Sequence, residues 1–290
     1  MYVIIKKKEV KMDFKNSLET PNLAMGTWKL GENLEKEQEE INAIRYGIDA
    51  GIKMIDTAEM YGEGKAEELV GKAIEKYKRE DLFLVSKVYP HNASKEKIFN
   101  SIENSLKRLK TSYLDLYLLH WRGNVPLQET VECMEKLVRD KTIKRWGVSN
   151  FDLLDMKELF LVPQGKNCAV NQVMYNLGSR GIEFDLKPWL DRNKIKIMAY
   201  SPLANGGERR EKLVNNKVVR NIAKNHNVKE LQILLAFLTN KNVIIVPGSG
   251  KIEHIRDNID GCKINLSEKE MNLLDKEFLR PTNKVELDML

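Results

Sequence analysis

Four polar side chains of different chemistry follow short apolar segments in the first half of the chain. Asp56 ends the segment M-I-D, Tyr61 lies in the sequence just after it, Lys87 follows L-F-L-V-S, and His120 follows L-Y-L-L. An isolated phenol has a pKa of about 10, and a nearby ammonium group lowers that pKa, so Lys87 could adapt Tyr61 to donate a proton near neutral pH. Asp56 would keep Lys87 charged, and His120 could hydrogen-bond a carbonyl oxygen. The set is suited to protonating the alkoxide that hydride addition to a carbonyl leaves.

The segments that carry these residues belong to a pattern that runs along the whole chain. Short segments rich in Ile, Val and Leu alternate with amphipathic ones, which is typical of buried parallel strands and the helices that cover them. The apolar segments are residues 22–26, 53–56, 82–86, 114–120, 145–149, 169–172, 195–200 and 243–247. Eight strand–helix units favour a closed (β/α)8 barrel, the TIM barrel, over an open doubly wound sheet.

Most of these segments end on a residue that an apolar core would not favour. These residues are Asp56, Lys87, His120, Ser149, Gln172, Tyr200 and Gly248. The carboxyl ends of barrel strands meet at one rim, where barrel enzymes hold their active sites. The sequence therefore predicts that the four chemically active side chains converge at that rim.

The chain length agrees with one barrel domain. It has 290 residues, and a barrel typically needs about 250. We expect a single domain over residues 1–290 with its core at about 20–278, a short N-terminal β-hairpin before it and an extra helix at the C-terminal end. Ser267 and Glu270 have the spacing of a capping box, which predicts where that last helix begins. The segment N-A-S-K-E (92–96) indicates another helix start earlier in the chain.

Composition argues against several classes of partner. The 48 Lys+Arg and 42 Asp+Glu give a net charge of +6, but they are interleaved, so we expect a solvated surface and no nucleic-acid or membrane partner. The three cysteines form no C-x-x-C pair, which predicts no disulfide framework and a cytoplasmic location. Four histidines without an H-x-H motif give little support to a metal site, and no apolar run approaches the roughly 18 residues of a membrane span.

The motifs around these residues resemble those of the aldo-keto reductase family. They occur in family order from about residue 20 to 278, which is nearly the whole chain. They are G-T-W-K (26–29), I-D-T-A-x-x-Y-G (55–62), S-K (86–87), L-D-L-Y-L-L-H-W (114–121), G-V-S-N-F (147–151), N-Q-V-x-Y-N (171–176) and A-Y-S-P-L (199–203). The family's catalytic tetrad corresponds to Asp56, Tyr61, Lys87 and His120 without a substitution. The resemblance implies reduction of small aldehydes and ketones by a monomer that prefers NADPH, with NADH as an alternative.

Some motifs resemble a subgroup of the family more than the rest. These are L-H-W-R-G (119–123), N-L-G-S-R-G-I-E (176–183) and the segment V-E-L-D-M-L (285–290). They resemble the bacterial members that reduce methylglyoxal, so methylglyoxal is the first substrate we expect.

The resemblance also assigns residues to the cofactor. Ser149, Asn150 and Gln172 would bind the nicotinamide amide, and Tyr200 would stack on the nicotinamide ring. The other residues that we expect in contact with the cofactor are Gly26, Thr27, Trp28, Asp56, Ser201, Pro202, Leu203, Gly248, Ser249, Lys251, His254, Asp257 and Asn258. No G-x-G-x-x-G motif follows a strand, which excludes a Rossmann site. The loop from Gly248 to Lys251 instead precedes a helix, whose first N–H groups could bind phosphate.

One departure from the family pattern concerns the 2′-phosphate of NADPH. Many members hold this group with a lysine and an arginine, and here Gly248 and His254 stand at those two positions, while Ser249 and Asp257 fit the pattern. Lys251, or protonated His254, could supply the missing charge. NADPH remains our preferred cofactor, with NADH or dual use as the alternative.

The substrate would lie among Trp28, Tyr61, Tyr89, His120 and Trp121, which occupy positions that line the substrate pocket in the family. The segment 122–126 is short and little chain follows the last helix near Phe278, so we expect an open pocket. Two other functions remain open at this point. One is a non-catalytic cofactor sensor of the same fold, and the other is a different barrel enzyme, such as a metal-dependent hydrolase or a phosphosugar isomerase.

Overall fold

Eight parallel strands form one sheet in which each strand pairs with the next along the chain. The computed structural model describes residues 22–290, so the predicted N-terminal hairpin lies outside the described residues. The strands are β1 (Ala24–Gly26), β2 (Met54–Asp56), β3 (Phe83–Val88), β4 (Leu116–Leu119), β5 (Trp146–Ser149), β6 (Val170–Met174), β7 (Lys196–Tyr200) and β8 (Ile244–Val246). Parallel bridges from Leu23 to Ile245 and from Gly26 to Gly248 join β1 to β8 and close the barrel. The predicted (β/α)8 fold is confirmed.

Helices cover the outside of this barrel. They are α1 (Glu37–Asp49), α2 (Lys65–Ile74), α3 (Ile98–Leu109), α4 (Leu127–Arg139), α5 (Leu153–Leu161), α6 (Leu186–Arg192), α7 (Gly207–Val214), α8 (Lys217–His226), α9 (Glu230–Thr239), α10 (Ile252–Gly261) and α11 (Glu268–Glu277). Three helices, α7 to α9, separate β7 from β8, which explains why the polar strand ends are most widely spaced there.

Successive side chains of each strand point to opposite faces of the sheet, which divides the core into two layers. In β4, Leu116 and Leu118 point into the barrel, where they join residues such as Val85 and Met198 in an interior cluster. Tyr117 and Leu119 point the other way, into the larger cluster between the strands and the helices. The interior is therefore packed with side chains, and space for a ligand is left at the rim.

The two helix starts that we predicted have different outcomes. The capping box is confirmed: the Ser267 side chain accepts from the Glu270 N–H, and the Glu270 carboxylate accepts from the Ser267 N–H, as α11 begins. The start expected at 92–96 lies a little later, because Pro90–Asn92 forms a 3-10 turn and α3 begins only at Ile98. Within residues 22–290, no helix has both the length and the apolar character needed to cross a bilayer.

Candidate active site

Lys87 connects the side chains at the centre of the rim. It lies in β3 next to the end of β2, and its Nζ donates to Asp56 Oδ2 at 2.8 Å, to the Thr57 carbonyl at 2.9 Å and to the Tyr61 hydroxyl at 3.1 Å. The side chain of Lys87 is completely buried. Three acceptors for three ammonium protons fix the group in one position.

The charge of Lys87 depends on its neighbours. Burial alone would lower the pKa of Lys87, but the Asp56 carboxylate and the Tyr61 phenol outweigh that effect and raise it above its usual value. Lys87 is therefore an ammonium ion at neutral pH. The expected effect of Asp56 on Lys87 is thus present in the structure.

Tyr61 begins a tight turn between β2 and α2. Gly62, Glu63 and Gly64 all have positive φ, of 56°, 54° and 95°, and a Cβ on Gly64 would lie 2.6 Å from the side chain of Arg108. The turn directs the phenol back to Lys87. Burial raises the pKa of Tyr61, and Lys87 lowers it, which is the effect that we expected of Lys87. Burial outweighs Lys87, so the pKa of Tyr61 lies above its usual value.

His120 directly follows β4, and its ring faces that of Tyr61. The two ring centroids are 5.9 Å apart, with an angle of 72° between the planes. Burial and the charge of Lys87 lower the pKa of His120 to about 3, so the imidazole is neutral at neutral pH. Its Nδ1 is buried and has no hydrogen-bond partner among residues 22–290, which leaves a polar atom for a ligand.

Asp56, Tyr61 and His120 border a cavity of about 520 Å³, a volume typical of cofactor and substrate sites. Most of the residues that we assigned to cofactor or substrate line it. They are Gly26, Thr27, Trp28, Asp56, Tyr61, His120, Trp121, Ser149, Asn150, Gln172, Tyr200, Ser201, Pro202, Leu203, Gly248 and Ser249.

A chain of hydrogen bonds orders the polar side of this cavity. The Ser149 hydroxyl donates to the Gln172 carbonyl at 2.8 Å, the Tyr200 hydroxyl donates to Asn150 Oδ1 at 2.9 Å, and Asn150 Nδ2 donates to the His120 carbonyl at 3.2 Å. Amide and hydroxyl groups beside an aromatic ring fit the amide and the ring of a nicotinamide.

Five residues that we assigned to cofactor or substrate do not line the cavity. Tyr89 packs edge-on against Trp121, with ring centroids 5.9 Å apart. The other four lie around α10, which leads away from the rim: Lys251 and His254 are exposed, Asp257 binds Lys229 at 2.7 Å, and Asn258 is buried. His254 still approaches the site indirectly, because its Nδ1 lies 3.2 Å from the hydroxyl of Ser249.

Several residues that line the cavity were missed from the sequence. They are Lys29, Leu30, Met60, Asn205, Arg210, Val246, Pro247, Met289 and Leu290. Val246 and Pro247 are the end of β8, so the strand-end rule could have found them. The others lie in loops or distant segments, whose approach to the cavity the sequence does not show.

Met289 and Leu290 reach the cavity through the segment that follows α11. Asp288 accepts a hydrogen bond from the Ser179 hydroxyl, and Arg180 donates to the Phe278 carbonyl at 2.6 Å and to Asp275 at 2.8 Å. The motifs at 176–183 and 285–290, noted separately in the sequence, are thus in contact. The cavity is less open than the short C-terminal segment suggested.

The described part of the chain, 22–290, contains no group of three or more His, Cys, Asp or Glu side chains that could hold a metal ion. The functional groups at the rim are an ammonium ion, a carboxylate, a phenol and a neutral imidazole. A phenol held by a buried ammonium group at the rim of a (β/α)8 barrel is suited to a reductase that protonates a carbonyl oxygen.

The comparison with known families agrees with this class: the chain belongs to the aldo/keto reductase family, whose sequence pattern it matches over residues 22–277. It is 47% identical over 280 residues to methylglyoxal reductase YeaE of Escherichia coli, covering 96% of this chain and 98% of that protein. It is 34% identical to glyoxal reductase of Bacillus subtilis, over 90% of each chain. The resemblance inferred from the motifs is confirmed.

Solved structures agree with the fold. An aldo/keto reductase from Klebsiella pneumoniae, crystallised in complex with NADP and acetate, has a TM-score of 0.90 and 47% identity to this chain. That match covers 93% of this chain and 96% of the other.

Proposed function

We propose that this protein reduces small aldehydes and ketones, including dicarbonyls such as methylglyoxal, to alcohols with NADPH. The observation that carries the proposal is the contact of Lys87 Nζ with both Asp56, at 2.8 Å, and Tyr61, at 3.1 Å, beside the cavity. The methylglyoxal and glyoxal reductases among the relatives support the choice of substrate. The NADP complex of the Klebsiella protein supports the choice of cofactor.

The side chains divide the reaction among them in this proposal. Reduced nicotinamide, when bound, supplies the hydride. Tyr61 donates its phenolic proton to the carbonyl oxygen, and Lys87 stabilises the resulting phenolate through the hydrogen bond that it already makes. Neutral His120 hydrogen-bonds the carbonyl oxygen and orients it toward Tyr61. Asp56 holds Lys87 in position and keeps it charged.

The residues present fit a nicotinamide cofactor. Ser149, Asn150 and Gln172 would bind its amide, and the ring of Tyr200 would stack on one face of the nicotinamide. Buried His120 Nδ1, which has no partner within residues 22–290, supports a ligand with polar atoms at this point. Gly26, Thr27 and Trp28 would contact the cofactor from the side of β1.

The adenosine end would lie toward the loop after β8. Gly248 and Ser249 line the cavity there, and Lys251 and His254 remain our candidates for the 2′-phosphate, although both are exposed. The pocket for the carbonyl compound would be formed by Trp28, Tyr61, His120 and Trp121.

We also propose that residues 1–290 act as one domain and as a monomer in the cytoplasm. The barrel that spans the described residues supports one domain. The cysteines Cys133, Cys168 and Cys262 are all free, which suits a reducing compartment. Size-exclusion chromatography with light scattering tests the monomer, since a dimer would double the measured mass.

The test of the function is consumption of NADPH by the purified protein. We expect NADPH absorbance to fall when methylglyoxal is added, and binding of NADPH to quench tryptophan fluorescence. Quenching without consumption of NADPH across a panel of small carbonyl compounds would support a cofactor sensor and contradict the proposal.

A further inference from the structure

Arg210 in α7 is a cation at the wall of the cavity. Its Nε donates to the Leu203 carbonyl at 2.8 Å. Among residues 22–290, no carboxylate forms an ion pair with its guanidinium, and the two terminal nitrogens form no hydrogen bond. Arg210 therefore presents unused donors beside a ligand cavity.

The backbone around Arg210 explains this position. The loop between β7 and α7 contains several residues with positive φ, including Ser201 at 48°, Ala204 at 55° and Gly206 at 81°. This loop curls so that the Leu203 carbonyl meets Arg210, and a Cβ on Gly206 would lie 3.9 Å from the guanidinium carbon. The guanidinium is held against the same loop that contributes Ser201 to the cavity.

Leaving this cation unpaired is unfavourable for the free energy of the folded protein. Arg210 is half-buried, burial lowers the pKa of its guanidinium, and no carboxylate counteracts that effect. The guanidinium groups of Arg79, Arg108 and Arg180 instead pair with carboxylates of low exposure. A partly desolvated charge without a partner is unfavourable, unless a bound anion provides one.

The cavity offers few other positive charges to an anion. Lys29 and Arg210 are the two Lys or Arg side chains among the residues that line it, and the Lys29 ammonium is exposed and lies 4.6 Å from the centroid of the Trp28 ring. The loop after β8 contributes Gly248 and Ser249, which carry no charge. The guanidinium of Arg210 is the better placed of the two for bidentate binding of phosphate oxygens.

We propose that Arg210 binds the pyrophosphate of the nicotinamide cofactor with its terminal nitrogens while its Nε remains on the Leu203 carbonyl. This inference rests on the proposed function, because it assumes a dinucleotide in the cavity. We choose the pyrophosphate over the 2′-phosphate as the group bound because Arg210 lies in α7, the helix that follows β7 and Tyr200. The 2′-phosphate would lie by the loop after β8. Arg210 should therefore contribute equally to the affinity for NADPH and for NADH.

The test compares Arg210→Met with Arg209→Met, a matched control one residue away whose side chain is exposed. Dissociation constants are measured for NADPH, NADH and ADP-ribose by fluorescence or calorimetry. We expect Arg210→Met to weaken all three by a similar factor, on the order of 10- to 100-fold, and Arg209→Met to leave them within about twofold.

Two results would overturn the proposal. Unchanged dissociation constants in Arg210→Met would remove Arg210 from the binding site, and a loss confined to NADPH would assign it to the 2′-phosphate. Should Arg210→Met not fold, Arg210→Gln gives the same test, because it keeps an N–H donor for Leu203 and removes the charge. ADP-ribose lacks the nicotinamide, so its binding tests Arg210 even if the protein reduces no carbonyl compound.

Discussion

The side-chain amide of Gln172 donates a hydrogen bond of 2.8 Å to Asp56 Oδ1 across the interior of the barrel. The other oxygen of Asp56 accepts from Lys87. The carboxylate is thus held from β6 on one side and from β3 on the other, and it cannot rotate without breaking one of the two bonds. The position of Lys87, and through it that of Tyr61, therefore depends on strands from both halves of the barrel.

Replacing Tyr61 by phenylalanine should remove the proton donor and keep the shape of the site. We expect the rate of carbonyl reduction to fall by roughly 10²- to 10⁴-fold, the usual contribution of general acid catalysis. The dissociation constant for NADPH should stay nearly the same. Stopped-flow turnover and fluorescence titration check the two parts separately, and full activity in this variant would remove Tyr61 from its role.

Lys87→Met should affect both stability and pH dependence. It leaves the Asp56 carboxylate buried without its cation, which typically costs about 3–5 kcal/mol of the free energy of unfolding. Because Lys87 lowers the pKa of Tyr61, its loss should move the pH limb of alcohol oxidation, which requires the phenolate, to higher pH. An unmoved limb, measured with NADP⁺ and an alcohol, would mean that Lys87 does not influence Tyr61.

His120 should make the folded protein sensitive to acid. Its pKa is about 3 in the folded state and about 6.5 in an unfolded chain. The unfolded chain therefore binds the proton first, and stability is unaffected above pH 6.5 but is lost as the pH falls from there toward 3. The loss should reach roughly 4 kcal/mol. Urea unfolding from pH 4 to 7 should show a steeper decline in the wild type than in His120→Gln, and equal slopes would contradict the prediction.

Gly248→Lys should favour NADPH over NADH. The new ammonium group would lie at the cavity wall after β8, where we expect the 2′-phosphate, and a charged hydrogen bond contributes about 1.5–3 kcal/mol. The ratio of kcat/KM for NADPH to that for NADH should therefore rise on the order of tenfold or more. An unchanged ratio would show that the 2′-phosphate does not lie at this loop, and Gly248→Met controls for the effect of side-chain size.

Ser179→Ala should alter carbonyl binding without altering cofactor binding. The change removes the hydrogen bond that Asp288 accepts and so frees the segment that brings Met289 and Leu290 to the cavity. Loss of this hydrogen bond between a hydroxyl and a carboxylate should change KM for the carbonyl compound by on the order of 3- to 10-fold. Asp288→Asn keeps an acceptor and serves as the matched control. If the dissociation constant for NADPH changed and KM for the carbonyl compound did not, the assignment of this segment to carbonyl binding would be contradicted.

The residues that strand order positions could be predicted from the sequence. Residues that an apolar core would not favour are recognisable in sequence at the ends of most buried strands, and the topology then brings Asp56, Lys87 and His120 to one rim. Arg210 could not be found in this way, because a loop with several positive φ values places it. Nor could the contact of Ser179 with Asp288, since those residues lie in segments that are far apart in the chain.

The electrostatics of the site were only partly predictable. The effect of Asp56 on Lys87 follows from the residue types, and its direction is the one that we expected. The net direction for Tyr61 depends on how much of the phenol is buried, and sequence alone does not contain that balance. The place of Tyr89 was equally uncertain from sequence, because a residue just after a strand can turn toward the cavity or toward its neighbours.

The seam between β1 and β8 has a consequence for hydrogen exchange. Both strands have only three residues, and Gly26 and Gly248 from the two sides of the seam line the cavity. Amide hydrogens there should exchange with deuterium sooner than those of the longer strands β3 and β6, because fewer ladder bonds must open. A ligand that contacts both sides would be lost on opening, so bound cofactor should slow that exchange in proportion to its affinity.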